Sequence, residues 1–223
     1  EMSASLVGSE MCKETVIELY KQFGTSAVTA IGSLNWRTAG FVATNNGAKL
    51  TADDSAKIAR FVTLCDAYSI PVVTFVDSEG FEKSSAAELA GSIRDSAKLA
   101  QAYASATTAK IAVVTGKAYG SAYVALASTA AGSDFTFAWE GAVIAPTTPE
   151  AAVVFLNGVS EDNAKQAQEY ADNEADAFTA AANGYVDRVI TAEDTKSALT
   201  SAIEATSSKR VVTPAKKHVN FVY

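Results

Sequence analysis

The sequence predicts an α/β fold, and three observations carry the prediction. Residues 70–77, IPVVTFVD, form a β-branched run too apolar to be half exposed and too short for a helix, which is the pattern of a buried parallel strand. Helical periodicity flanks it on both sides: residues 51–69 set Ile58, Phe61, Val62 and Cys65 on one face, and residues 85–106 repeat Leu89, Ile93, Ala97 and Ala100. A second apolar run at 110–114 then leads through TGKAYGSAYVALAS, residues 115–128, into another helix. Strands alternating with helices give an α/β architecture, whose ligand sites gather where strands end and helices begin.

The elements follow in order. Residues 10–23 place Met11, Val16, Leu19 and Phe23 at helical spacing with acids early, so an amphipathic helix ending at Gly24 is expected. This divides the chain into a helical arm, 1–26, and a main domain, 27–223. Residues 27–45 read as two strands around a short turn, and Thr51 as the N-cap of a helix with acids in its first turn. After the polar loop SEGFEKS, Ser85 and Glu88 stand at capping-box spacing for a helix running to about residue 106. Further strand is expected within 134–146, a helix from Pro149 to 156, a short strand within 183–190 and a helix over 194–208. Residues 157–176, rich in Asn, Asp, Glu and Gln, read as a mobile insertion, and the basic tail from 209 as an ordered arm holding Val, Phe and Tyr among its lysines.

Composition narrows the function classes. A chain of 223 residues, 48% hydrophobic, is long enough for one large core, and its net charge of −7 argues against a nucleic-acid surface. Two cysteines, Cys12 and Cys65, with the single histidine His218 support neither a disulfide framework nor a metal site, which points to a reduced, cytoplasmic setting. His218 lies in the basic tail and reads as a surface or subunit contact. No apolar run approaches the roughly 20 residues of a membrane span.

The turn at 115–124 has two readings on its residues alone. If 113–114 end a strand and 123–128 are helical, the N–H groups of Gly120, Ser121 and Ala122 fall at a helix N-terminus without internal acceptors, where two of them can hold an oxyanion. Alternatively, Gly, Ser and Ala here only let helix and strand pack closely.

A resemblance favours the first reading. Residues 61–81, FVTLCDAYSIPVVTFVDSEGF, then 93–128, ending in KIAVVTGKAYGSAYVALAS, and 134–145, DFTFAWEGAVIA, resemble the carboxyltransferase subunit of biotin-dependent acyl-CoA carboxylases and decarboxylases of the propionyl-CoA and methylmalonyl-CoA type. The likeness is to its C-terminal, carboxybiotin-binding half and runs from about residue 10 to the tail. It implies a crotonase-like (ClpP/crotonase) fold, a superhelix of ββα turns. It implies that the amides of Gly120, Ser121 and Ala122 stabilise the biotin ureido oxyanion as its carboxyl group leaves. Gly80, Phe81 and Tyr119 would line the biotin side, and Val124 and Tyr123 the acyl pocket. Three departures stand out. Ser121 replaces a second glycine, Glu79 replaces the proline of V-D-x-P-G-F, and Pro146 and Pro149 stiffen a turn that in relatives contains Met-Gly.

The resemblance further implies transfer of a carboxyl group between carboxybiotin, borne on a separate protein or domain, and the carbon beside an acyl-CoA thioester. The released ureido nitrogen takes the α-proton, so the protein need supply only oxyanion donors. The expected partners are a CoA-binding carboxyltransferase half, a biotin carboxyl carrier, a biotin carboxylase or a membrane decarboxylase subunit, and further copies of the chain. Three competitors remain: a decarboxylase-linked subunit running the transfer in reverse, a crotonase-type hydratase or isomerase using Asp77 or Glu79, and a non-catalytic assembly subunit.

Overall fold

A computed structural model describes residues 16–45 and 47–212. Its strands are β1 (Ile17–Leu19), β2 (Ala27–Leu34), β3 (Arg37–Thr44), β4 (Val72–Ser78), β5 (Lys110–Tyr119), β6 (Phe135–Trp139), β7 (Val143–Ala145) and β8 (Arg188–Ile190). They form one sheet ordered β1-β2-β3-β4-β5-β6-β8, with β7 beside the far half of β5. The first three strands pair antiparallel, and every later pairing is parallel. The β2–β3 hairpin turns on Asn35 and Trp36, both at positive φ (49° and 65°), the combination that matches a two-residue loop to the strand twist.

Two apolar layers follow from the period-2 alternation of the strands. One face presents Val42, Val72, Val76, Ala112 and Val114 to helices α1 (Ala52–Ala67) and α3 (Ser92–Ser105), through Ile58, Phe61, Val62, Leu99 and Tyr103. The other presents Phe41, Phe75, Ile111, Val113 and Phe137 to α8 (Thr195–Ala205), through Leu199 and Ile203. Helix α1 starts where Thr51 predicts, with a complete Thr51/Asp54 capping box. Lys110, buried at the start of β5, donates its ammonium to the Tyr103 and Ala106 carbonyls and so closes the end of α3.

Four expectations need correction. Within 10–23, residues 10–15 lie outside the described residues, and Ile17–Leu19 is strand, paired to Thr29–Ile31, because an apolar sheet edge offered a better partner than an isolated helix finds. The helix expected over 85–106 is two, α2 (Ser85–Leu89) and α3, broken at Gly91 with φ 93°. Its cap is Ser84, whose hydroxyl accepts from the Ala87 N–H, rather than Ser85. The expected mobile insertion contains a regular helix, α6 (Asn163–Asn173), packed beside α5 (Pro149–Asn157). The remaining helices are α4 (Gly120–Leu126) and α7 (Ala177–Ala182). The tail beyond residue 212, with His218, lies outside the described residues.

Cys65 is fully buried in the α1 layer, and burial pushes its thiol up to about 12. In a Cys12→Ser variant, thiol labelling at pH 8 should therefore stay at background until denaturant is added. Rapid labelling of the native protein would show that this layer opens.

Candidate functional site

The site is built where β4 and β5 part. Their parallel register slips between Val76 and Ser78, leaving Asp77 at a bulge. The Asp77 N–H donates to Thr44 Oγ1 at 2.7 Å, and its carboxylate accepts the Lys117 N–H at 2.9 Å, so the disrupted ladder is closed by a side chain. A Cβ on Gly116 would lie 2.5 Å from Asp77 Oδ1, which is why a glycine stands there. Beyond this point β5 leaves β6 and pairs with β7, Lys117 opposite Val143 and Tyr119 opposite Ala145.

Gly120, at φ 58°, then turns the chain from strand into α4. No side chain caps that helix, so the first-turn N–H groups, including those of Ser121 and Ala122, have no acceptor within it. Two other segments close on the same turn. A Cβ on Gly120 would meet the Pro146 carbonyl at 3.1 Å, and one on Gly80, itself at φ 111°, would stand 3.8 Å from the Tyr119 carbonyl. Gly80 is fixed from outside by the Leu50 N–H, which donates to its carbonyl at 2.9 Å.

Beside the turn lies an open cavity of about 450 Å³, bounded by Glu79, Lys117, Tyr119, Thr148, Glu150 and residues of α6. The Lys117 ammonium and a Glu79 carboxylate oxygen meet at 2.7 Å. That hydrogen bond lowers the carboxyl pKa and raises that of the lysine. Burial raises the Tyr119 hydroxyl, so at neutral pH it is a neutral donor on the cavity wall. Among the described residues no cluster of His, Cys, Asp and Glu is arranged to hold a metal ion.

The structure thus brings together Gly80, Tyr119, Gly120, Ser121 and Ala122. The other candidates part from them. Phe81 pairs with Leu50 and packs against the α1-side core. Tyr123 is buried in that core, and its hydroxyl donates to the Tyr185 carbonyl at 2.9 Å. Desolvation holds its pKa up at about 12. Val124, at 49% exposure, faces outward from α4 on the same side as exposed Ser121. Neither Asp77 nor Glu79 is poised as a hydratase base, since the first holds a backbone amide and the second an ammonium.

Sequence reasoning missed Lys117 and the α6 wall. Lys117 shares a strand face with Tyr119 at i, i+2, a relation that becomes visible once β5 is extended past Thr115. The α6 wall was hidden by polar composition, although Ala164, Ala167 and Ala171 recur at helical spacing.

The chain matches the carboxyl transferase domain over residues 5–221. It belongs to the carboxyl transferase domain family. It is 38% identical over 210 residues to the propionyl-CoA carboxylase beta chain of Cereibacter sphaeroides, covering 91% of this chain and 41% of that one. To the methylmalonyl-CoA carboxyltransferase 12S subunit of Propionibacterium freudenreichii subsp. shermanii it is 38% identical over 216 residues, covering 92% and 41%. A crystal structure of the transcarboxylase 12S hexamer, with methylmalonyl-coenzyme A and methylmalonic acid bound, superposes at a TM-score of 0.92 and 36% identity, covering 98% of this chain and 44% of that one. The geranyl-CoA carboxylase beta subunit of P. aeruginosa, at 20% identity and a TM-score of 0.81, covers 97% and 44% and shares the fold. That fold is crotonase-like, as expected from the resemblance. The chain spans about two fifths of the length of the curated relatives that it matches.

Proposed function

We propose that this chain is the biotin-side half of an acyl-CoA carboxyltransferase and that it acts with a CoA-binding half. The observation carrying the reading is the uncapped strand-to-helix turn at Gly120, approached by Gly80 and opening beside a cavity. Carboxybiotin supplies the carboxyl group and, once free of it, a ureido nitrogen able to take a proton. The residues fit that group: glycines at 80 and 120 keep the walls thin, and the turn offers backbone donors where negative charge develops. Ser121 and Ala122 N–H hold the oxyanion, while Tyr119 fixes the pocket edge. Neither amide needs reorganisation at the moment of transfer, which is what makes fixed backbone dipoles effective.

A relative bound to methylmalonyl-coenzyme A supports a short, branched acyl-CoA as substrate. The exposed side of α4, carrying Ser121 and Val124, is where the acyl group would arrive from the other half. Partner contact also accounts for the apolar end of α5 and the bend after it, where Phe155 and Val159 are each 89% exposed. The carrier-borne biotin, a biotin carboxylase or decarboxylase subunit and a hexamer-like assembly complete this reading, in a cytoplasmic setting. No helix among the described residues is long and apolar enough to cross a membrane.

Carboxyl transfer from a carboxylated biotin carrier to propionyl-CoA, assayed with and without a CoA-binding half, tests the proposal. Activity should appear only with both. Enoyl-CoA hydration by the chain alone, without biotin, would replace it.

A further inference from the structure

The cavity beside the turn carries charges that the oxyanion role does not use. Its wall contains one cation, Lys117, and two carboxylates, Glu79 and Glu150. Lys117 is reached from the cavity, with its side chain 48% exposed, and its ammonium is engaged with Glu79 at 2.7 Å. Its stem passes Gly47, where a Cβ would sit 3.6 Å from Cδ and 3.9 Å from both Nζ and Asp77 Oδ1. Glu79 stands at the head of the loop whose next residue, Gly80, faces the Tyr119 carbonyl, which a Cβ there would approach to 3.8 Å. The ion pair therefore lies one residue before Gly80 on one segment and two residues before Tyr119 on the other.

We propose that Lys117 is the anchor for the carboxylate of the carboxylated ligand, and that Glu79 is a built-in competitor which sets the pocket's preference between the carboxylated and free forms. The proposal rests on the biotin-side reading above. Its logic is electrostatic. An ammonium already matched to a carboxylate gains little from a second one, and Glu150 adds repulsion toward an incoming anion. A transfer site must admit one form and release the other. A free lysine would favour the carboxylated form and retain it, whereas the internal counter-ion brings the two affinities together. The position that holds Glu79 is also the one where the resemblance leads one to expect proline, a residue with no charge to offer.

The test compares full-length chain binding to biotinamide, which is neutral, and to freshly prepared N1′-carboxybiotinamide at pH 8.5, by ligand-observed NMR. The ratio of the two dissociation constants should be near unity in the parent. In Glu79→Gln it should move roughly tenfold toward the carboxylated form, the worth of one freed charge-assisted contact. Lys117→Met should favour the neutral probe, because it leaves Glu79 and Glu150 unopposed, and the double variant should show none of the gain seen in Glu79→Gln, since the cation through which that gain is made is absent. An unchanged ratio in Glu79→Gln, with both probes still bound, would overturn the charge competition and leave the biotin-side reading standing. A tenfold gain that persists in the double variant would remove Lys117 from it. Failure of the parent to bind either probe would overturn the pocket assignment and this inference with it.

Discussion

A proline at position 121 should lower carboxyl transfer by something like 10²- to 10³-fold, while glycine there leaves transfer unchanged or improves it. The contrast isolates one N–H. Ser121 is the second residue of α4, where a helix has no use for its amide, so proline removes no hydrogen bond of the fold. Glycine removes only an exposed hydroxyl. A loss confined to proline, with unfolding midpoint and assembly state kept, assigns the effect to the donor. Full activity in a well-folded Ser121→Pro variant would take this amide out of the mechanism, and an equal loss in Ser121→Gly would move the role to the hydroxyl.

Asp54→Ala should destabilise the chain by about 3 kcal/mol, the largest effect on stability expected of a single polar change here. Its carboxylate is wholly buried and accepts from the Ser26 N–H at 2.9 Å, the Thr51 N–H at 2.9 Å and the Thr51 hydroxyl at 2.6 Å. Alanine leaves these part-buried donors without their acceptor and removes the acid from the start of α1. For a domain of this size the loss corresponds to a fall of roughly 6–12 °C in the thermal midpoint. Asparagine, which keeps one acceptor, should cost about half as much. A midpoint unchanged by alanine would mean that water enters and replaces the carboxylate.

Those elements whose stabilising partners are local in sequence were legible in it. Thr51 and Asp54 are three residues apart, and the β4 run announces its burial by composition alone. Elements decided at long range were not. Ile17–Leu19 is strand because β2 offers its edge, a fact no spacing within 10–23 contains. Helix 85–106 was over-extended because Gly91 costs only about 1 kcal/mol in a helical pattern, too little to register against regular apolar spacing. At the site, the backbone turn could be read because Gly-Ser-Ala has few uses. Tyr123 could not be placed from sequence, since its hydroxyl finds a carbonyl 62 residues away. Glu79 and Lys117, 38 residues apart, meet only once the β4 bulge has shifted the register.

The division of β5 between two neighbours has a mechanical side. Residues Ile111–Val114 are clamped on both edges, by β4 and by β6, whereas Lys117–Tyr119 lean on the three-residue β7 and on β4 through one ladder pair, at Ala118, and the Asp77 carboxylate that accepts the Lys117 N–H. The strand is a beam fixed at its root and lightly propped at its tip. Its root lies between two apolar layers, and its tip carries the lysine, the tyrosine and the turn. A strand held in this way can flex at the ligand without transmitting the displacement into the core, so tolerance to movement at the pocket is set by the short β7 prop rather than by the stability of the whole.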